Sequence, residues 1–201
     1  KEEEEENGAT AEAKSPYRDK QFLFFLALTT LGAIAFMQFL SALPVFYKQE
    51  LRMSEAEIGW LLALNGLIVV FMEMPLVYVL EKRFKKLDCI AWGVLMYGFG
   101  YLVFNLYPQG VFVAVVSMIA LSFGEIFNMP FTNTYIMGKA TAANRGQYMG
   151  LLTMCFSIAH IAAPLIGLQT AAHFGFGTLW FVLAGMCLVA FAGFVYLKRT
   201  Q

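Results

Sequence analysis

Residues 58–86 read IGWLLALNGLIVVFMEMPLVYVLEKRFKK, an apolar run over 58–80 that contains a single acidic side chain, Glu73, and ends in a knot of basic residues, Lys82, Arg83, Lys85 and Lys86. A run of this length is what an α-helix needs to cross a hydrocarbon core of about 30 Å, which takes roughly 20 residues. The same pattern recurs on both sides of it. Apolar runs at approximately 21–47, 58–80, 89–107, 111–137, 148–172 and 178–197 are separated by short polar or charged stretches. Each is long enough to span, the longer ones by tilting, and their lengths argue against buried helices of a soluble core. The expected fold is all-α, an integral membrane bundle of six transmembrane helices over residues 21–201.

Composition agrees. Hydrophobic residues make up 59% of the chain and charged ones 14%, against about 25% charged in an ordinary soluble domain, so the solvent for most of the surface is lipid. A net charge of zero with dispersed basic residues leaves no footprint for nucleic acid. Cys89, Cys155 and Cys187 lack metal-ligand spacing and fall at or within apolar runs, as small packing residues do. No two-His metal motif, Ser-His-acid set or phosphate loop is present. The expectations are therefore no metal, no cofactor and no enzymatic activity. Residues 1–20, with Glu2 to Glu6, Asn7, Gly8 and Pro16, have the composition of a disordered acidic linker. A start at Lys1 without a secretory signal suggests a piece of a longer polypeptide.

Cytoplasmic loops carry the excess of Lys and Arg. Lys14, Arg18 and Lys20 precede the first run, Lys82 to Lys86 follow the second, Lys139 and Arg145 follow the fourth, and Lys198 and Arg199 close the sixth, while Lys48 and Arg52 lie on the other side. This places the N- and C-termini of the segment in the cytoplasm of a multi-pass protein and suits a bacterial inner membrane. The loops are short except for the first outer one, Lys48 to Glu57, which predicts that consecutive helices pack as antiparallel neighbours.

Polar residues in a bilayer are costly and mostly face a protein interior or a cavity. They gather on the first run (Thr29, Thr30, Gln38), the second (Asn65, Glu73), the fourth (Ser122, Glu125, Asn128, Thr132, Asn133) and the fifth (Thr153, Ser157, His160). The third and sixth have almost none, so the third helix of each triplet is expected to face lipid. Two triplets with this shared division, inserted in opposite senses, are what a 3+3 inverted repeat looks like in hydropathy. Thr153, Ser157, His160, Pro164 and Gly167 fall on one stripe of the fifth run at about 100° per residue.

Past the second run, Glu81 takes the acidic place, Lys82 the first basic place and Lys85 with Lys86 the closing pair of the pattern Gly-x-x-x-Asp-(Arg/Lys)-x-Gly-(Arg/Lys)-(Arg/Lys), with Val77 and Phe84 where that pattern has glycines. Gly124-Glu125 through Pro130, followed by Arg145-Gly146-Gln147-Tyr148-Met149-Gly150, and Ala159-x-x-x-Ala163-Pro164-x-x-Gly167, are two further signals. By these features the chain resembles the C-terminal half of a major facilitator superfamily transporter. The last signal is similar to that family's antiporter motif with alanines for two glycines. The resemblance implies an N-terminal six-helix half of the same transporter as partner, and a gating cluster of Glu81, Lys82, Lys85, Lys86 and Arg145. A positive-inside anchor without a gating role is the other reading of those charges. Ala159, Ala163, Pro164 and Gly167 would serve close helix packing and a bend.

Glu125 and His160 each lie twelve residues from the boundaries at Met137 and Tyr148, about 18 Å by helical rise, so both are expected near the bilayer middle. There a carboxyl group can load and release a proton during a transport cycle, and His160 can relay it or bind substrate. Glu73, nearer the cytoplasmic side, is a third candidate for proton coupling. A structural hydrogen bond between helices is the competing reading for Glu125 and His160, and a structural or gating pair for Glu73. Gln38, Asn128, Thr132 and Asn133 lie on helices one and four, which the resemblance assigns to a central cavity. They are candidate substrate contacts, with helix-packing hydrogen bonds as the alternative. The functional expectation is a secondary active transporter that moves a small organic solute by alternating access. Proton coupling, with drug or metabolite efflux ahead of uptake, is the preferred version; a six-helix channel or a half-size protein acting as a homodimer is the alternative.

Overall fold

The computed structural model describes residues 15–106 and 110–200, and among these there are helices and no strands. After a single 3-10 turn at Pro16–Arg18 come α1 (Lys20–Met37), α2 (Ala42–Gln49), α3 (Glu55–Arg83), α4 (Lys86–Leu106), α5 (Val111–Lys139) and α6 (Arg145–Arg199). Five segments are long and apolar enough to cross a membrane, α1 and α2 together forming one of them. The longest, α6, leaves helical geometry at Gly175 (φ 82°, ψ 162°), a conformation that an L side chain rarely adopts, and so consists of two limbs, 145–174 and 176–199. Most of the segment expected to be a linker lies outside the described residues. Within its end, Pro16 is buried and helix α1 begins at Lys20.

Local chemistry sets the helix ends. Asp19 accepts a hydrogen bond from the Phe22 N–H and starts α1. Ser54 and Glu57 form a reciprocal capping box at the start of α3, an arrangement whose cap residue is typically worth about 1 kcal/mol. The first apolar run is not one helix as read from the sequence. Over residues 38–41 the Gln38 carbonyl accepts from both Ser41 N–H (3.2 Å) and Leu43 N–H (2.9 Å). Three residues on from Ser41, Pro44 has no N–H with which to continue the ladder, so a turn replaces the regular i to i−4 bond there.

Contacts fix the directions of the helices. The Phe22 ring lies 4.5 Å from that of Tyr148, tilted by 48°, and Gln38 reaches the Ala163 carbonyl, so α1 runs parallel to the first limb of α6. Phe25 meets Phe194 and Phe46 meets Trp180, so the second limb runs back against it. Tyr101 donates to the Ala35 carbonyl (2.7 Å) and Phe104 packs on Phe46, which makes α4 parallel to α1. Gly93 lies against Gly124 and Gly100 against Ser117, so α5 is antiparallel to α4. One end of the bundle collects Arg18, Lys86, Lys139, Arg145 and Lys198, and is called the basic end below.

The helix expected to face lipid, α4, keeps an outward strip and packs its other faces along α5, the second limb and α1. A run without polar groups suits a helix-packed core as well as it suits lipid, and glycines let the partner backbones close in. At Gly93 a Cβ would sit 2.7 Å from the Gly124 carbonyl oxygen and 2.8 Å from the Asn128 nitrogen. Only one strip of α4, with Trp92 and Phe99, stays open. Across short loops α4 and α5 pair as expected; α3, reached through the longer Lys48 to Glu57 connection, leans on α5 rather than on α1, and only Leu61 and Leu80 of α3 are buried.

Candidate functional site

The polar centre of the bundle lies between α3 and α5. Asn65 Nδ2 donates to Glu125 Oε2 (3.1 Å) and to Ser122 Oγ (3.0 Å), and the Ser122 hydroxyl donates to the Met118 carbonyl (2.8 Å). Ser122 and Glu125 share a face of α5 because they are three residues apart, and Asn65 faces both from α3. Glu125 is half-buried, and so is Glu73, about two turns from Asn65 along α3. A protein amide thus holds a carboxylate within the apolar span of two helices. Charge-assisted hydrogen bonds of this kind are stronger than neutral ones, and their strength depends on whether the acid carries its proton.

His160 does not join this centre through any hydrogen bond among the described residues. Its Nδ1 lies 3.2 Å from the carbonyl of Phe156 on its own helix, and it is exposed together with Thr153 and Ser157, whose hydroxyls also bond one turn back. The stripe read from the sequence therefore splits. Thr153, Ser157 and His160 look outward, whereas Gly167 is buried and Pro164 half-buried; of the packing residues, Ala159 and Ala163 are buried, and Ala163 and Gly167 meet Gln38 at the end of α1.

Gln38 is completely buried at that interface. Its Nε2 donates to the Ala163 carbonyl (2.9 Å), and its Oε1 accepts from Ser41 (3.1 Å). Asn128 donates to the Ile90 carbonyl of α4 (3.3 Å), Thr132 is buried and Asn133 is exposed. Gln38 thus bonds across the α1–α6 interface and Asn128 across the α4–α5 interface.

At the basic end, Lys82 lies 3.7 Å above the Tyr78 ring and Lys86 donates to the Thr134 carbonyl (3.0 Å). Glu81, Lys85 and Arg145 are exposed. The ion pairs at this end involve other residues, Lys139 with Asp19 (3.8 Å) and Lys198 with Asp88. Asn65, Asp88 and Asp19 are the polar contacts that sequence reasoning did not single out. Asn65 was visible as a polar residue in a span, but its partner lies 60 positions away. Cys89, Cys155 and Cys187 are buried and free. Among the described residues no three His, Cys, Asp or Glu side chains gather as a metal site.

Long apolar helices packed through glycines, with a carboxylate hydrogen-bonded across two of them, define a multi-pass helical membrane protein. The chain belongs to the Major Facilitator Superfamily, a family of transporters, whose model matches residues 22–201. It is 27% identical over 194 residues to a Na(+), Li(+), K(+)/H(+) antiporter of Planococcus maritimus, a match that covers 90% of this chain and 45% of the relative. Multidrug resistance protein MdtH of Yersinia enterocolitica is 23% identical, and that of Cronobacter sakazakii 26% identical, each over 137 residues, 66% of this chain and 33% of the relative. The chain spans less than half the length of these curated relatives.

Proposed function

We propose that this chain is the C-terminal six-helix half of a proton-coupled secondary transporter, in which Glu125 carries the coupling proton. The observation behind this reading is the Asn65–Glu125 hydrogen bond between α3 and α5. With Glu125 ionised, the Asn65 amide donates to a carboxylate. Protonation converts that strong acceptor into a neutral acid and weakens the tie. Helix α3 buries only two of its residues fully, so the protonation state of one carboxyl group can bias how α3 sits against α5. A bias of that kind is what alternating access requires: one ligand, the proton, with different affinity for two arrangements.

The preferred cargo is a small amphipathic organic compound moved outward in exchange for protons, in keeping with the multidrug resistance relatives. Monovalent cation exchange for protons is the second reading, favoured by the antiporter relative, which aligns with 90% of this chain. Glu81, Lys82, Lys85, Lys86 and Arg145 are proposed as a gating cluster at the basic end, since the ion pairs found there among the described residues leave them out. His160, on an exposed face of α6, is proposed to face that half or the pathway between the two.

The test is gradient-driven flux in proteoliposomes containing the full-length transporter, with a panel of organic compounds and with Na(+), Li(+) and K(+), wild type against Glu125→Gln. The glutamine keeps an acceptor for Asn65 but cannot cycle a proton. The expected result is loss of gradient-driven transport with substrate exchange retained. Unchanged gradient-driven transport would assign Glu125 to structure and move the proton site to Glu73, His160 or the other half.

A further inference from the structure

On the side of the bundle away from Glu125, α4 and the second limb of α6 bound a cleft of about 450 Å³ lined by Trp92, Phe99 and Leu102 on one wall and Ala184, Cys187 and Leu188 on the other. Its floor exists because Gly98 has no side chain: a Cβ there would lie 3.0 Å from the Cys187 Cβ, so the helices close in behind an open front. Trp92, Phe99 and Leu188 are each more than half exposed, and the cleft opens sideways. From Trp92 to Leu102 it runs about 15 Å along α4 at 1.5 Å per residue. That is half of a hydrocarbon core of about 30 Å, the depth of one leaflet.

The mouth of the cleft toward the basic end is framed by the Trp92 and Phe191 rings, 6.1 Å apart. One turn beyond Trp92 comes Asp88, paired with Lys198. Lys85, the residue just before α4, and Arg199, three turns past Leu188 on the second limb, are both exposed. Lys198 also borders a second, polar cleft of about 530 Å³ that it shares with Lys85 and Lys86, with Glu81 as its acid. The group thus offers an apolar slot of leaflet depth and, directly past its mouth, an excess of positive charge with room for a headgroup.

We propose that this lateral cleft is a binding site for an anionic phospholipid, with one acyl chain lying along Trp92 to Leu102 and the phosphate held by Lys198, Lys85 and Arg199. Three cations against Asp88 leave a net charge of two, and each basic residue near a membrane surface favours anionic lipid by roughly fivefold in affinity. The expected preference over a zwitterionic lipid is therefore about twenty-fivefold, and it falls as salt is raised.

The experiment uses the full-length transporter in zwitterionic vesicles doped at low mole fraction with acyl-brominated phosphatidylglycerol or acyl-brominated phosphatidylcholine. Bromine quenches nearby indoles, and the Trp92 contribution is the difference between wild type and Trp92→Phe. Stronger quenching of Trp92 by the phosphatidylglycerol, reduced to parity in the double variant Lys85→Gln/Arg199→Gln, is the expected outcome. That variant leaves the Asp88–Lys198 pair and the helix packing intact, so a change in preference reads charge rather than misfolding. Equal quenching by both lipids in wild type, no quenching of Trp92 by either, or a preference that survives the double variant would each overturn the proposal.

Discussion

Replacing Gly167 by alanine tests whether Gln38 is a fixed part of the α1–α6 interface. A Cβ at 167 would overlap Gln38 Oε1 and lie 2.8 Å from its Cδ and 3.0 Å from its Nε2. Gln38 is fully buried and cannot swing into solvent, so its amide has to leave the Ala163 carbonyl or the helices have to separate. Overpacking of this kind costs about 1–3 kcal/mol. Loss of an interhelical hydrogen bond in a membrane protein adds roughly 0.6–2 kcal/mol. Against this stands a helix-propensity gain of about 1 kcal/mol for Gly to Ala. The steric and polar costs win, and the expected net loss is about 1–3 kcal/mol, read as reversible unfolding in mixed micelles. The decisive comparison is Gly167→Ala in a Gln38→Ala background, where the clash is gone and the propensity gain remains, so that the second substitution should be neutral or stabilising. Additive losses in the two variants, or a harmless Gly167→Ala in the wild type, would refute the argument.

Two other glycines form a pair with opposite signs. Gly93→Ala should cost more than Gly167→Ala because its Cβ meets backbone atoms of Gly124 and Asn128 that cannot rotate away, whereas Gly66→Ala, with nothing within 4 Å, should be neutral or stabilise by up to about 1 kcal/mol in the same unfolding assay. Ser54→Ala removes the capping box of α3 and should cost about 1 kcal/mol, with faster hydrogen exchange at the amides of the first turn of α3 as its local signature. Arg52 has φ 52°, so Arg52→Gly should relieve about 1 kcal/mol of left-handed backbone strain and raise the unfolding midpoint.

The apolar runs were legible because a bilayer demands length and lipid solubility of each helix separately, a property contained in 58–80 or 111–137 alone. Which helix touches which was not, since it depends on phase and on pairs far apart in sequence. Asn65 reaches Glu125 across 60 positions, and Gln38 reaches Ala163 across 125. A count of polar residues put α3 beside a cavity and α4 against lipid. It did not show that the inner faces of α4 close on α5 and on the second limb through Gly93, Gly98 and Gly100, whose contribution is an absence of side chain. The division of the first run at 38–41 was foreshadowed by Pro44, but a proline in a long apolar run also fits a simple kink, and only the bonding of the Gln38 carbonyl separates the two. For the candidate site, Glu125 was identifiable as a lone carboxylate in a span; its partner was not, because several amides were equally placed to meet it.

The reversal at Gly175 has a mechanical consequence. Between the limb that follows α1 and the limb that returns along it, the non-helical backbone is a single residue, so the connection has no slack to absorb relative sliding. The limbs act as the two arms of a stiff hairpin. A tilt imposed on the arm that carries His160 is passed on to the arm that carries Trp180 and Phe194, and through their ring contacts to α1, α2 and α4. Motion on one flank of the bundle is thereby geared to motion on the other without any side chain having to carry the message.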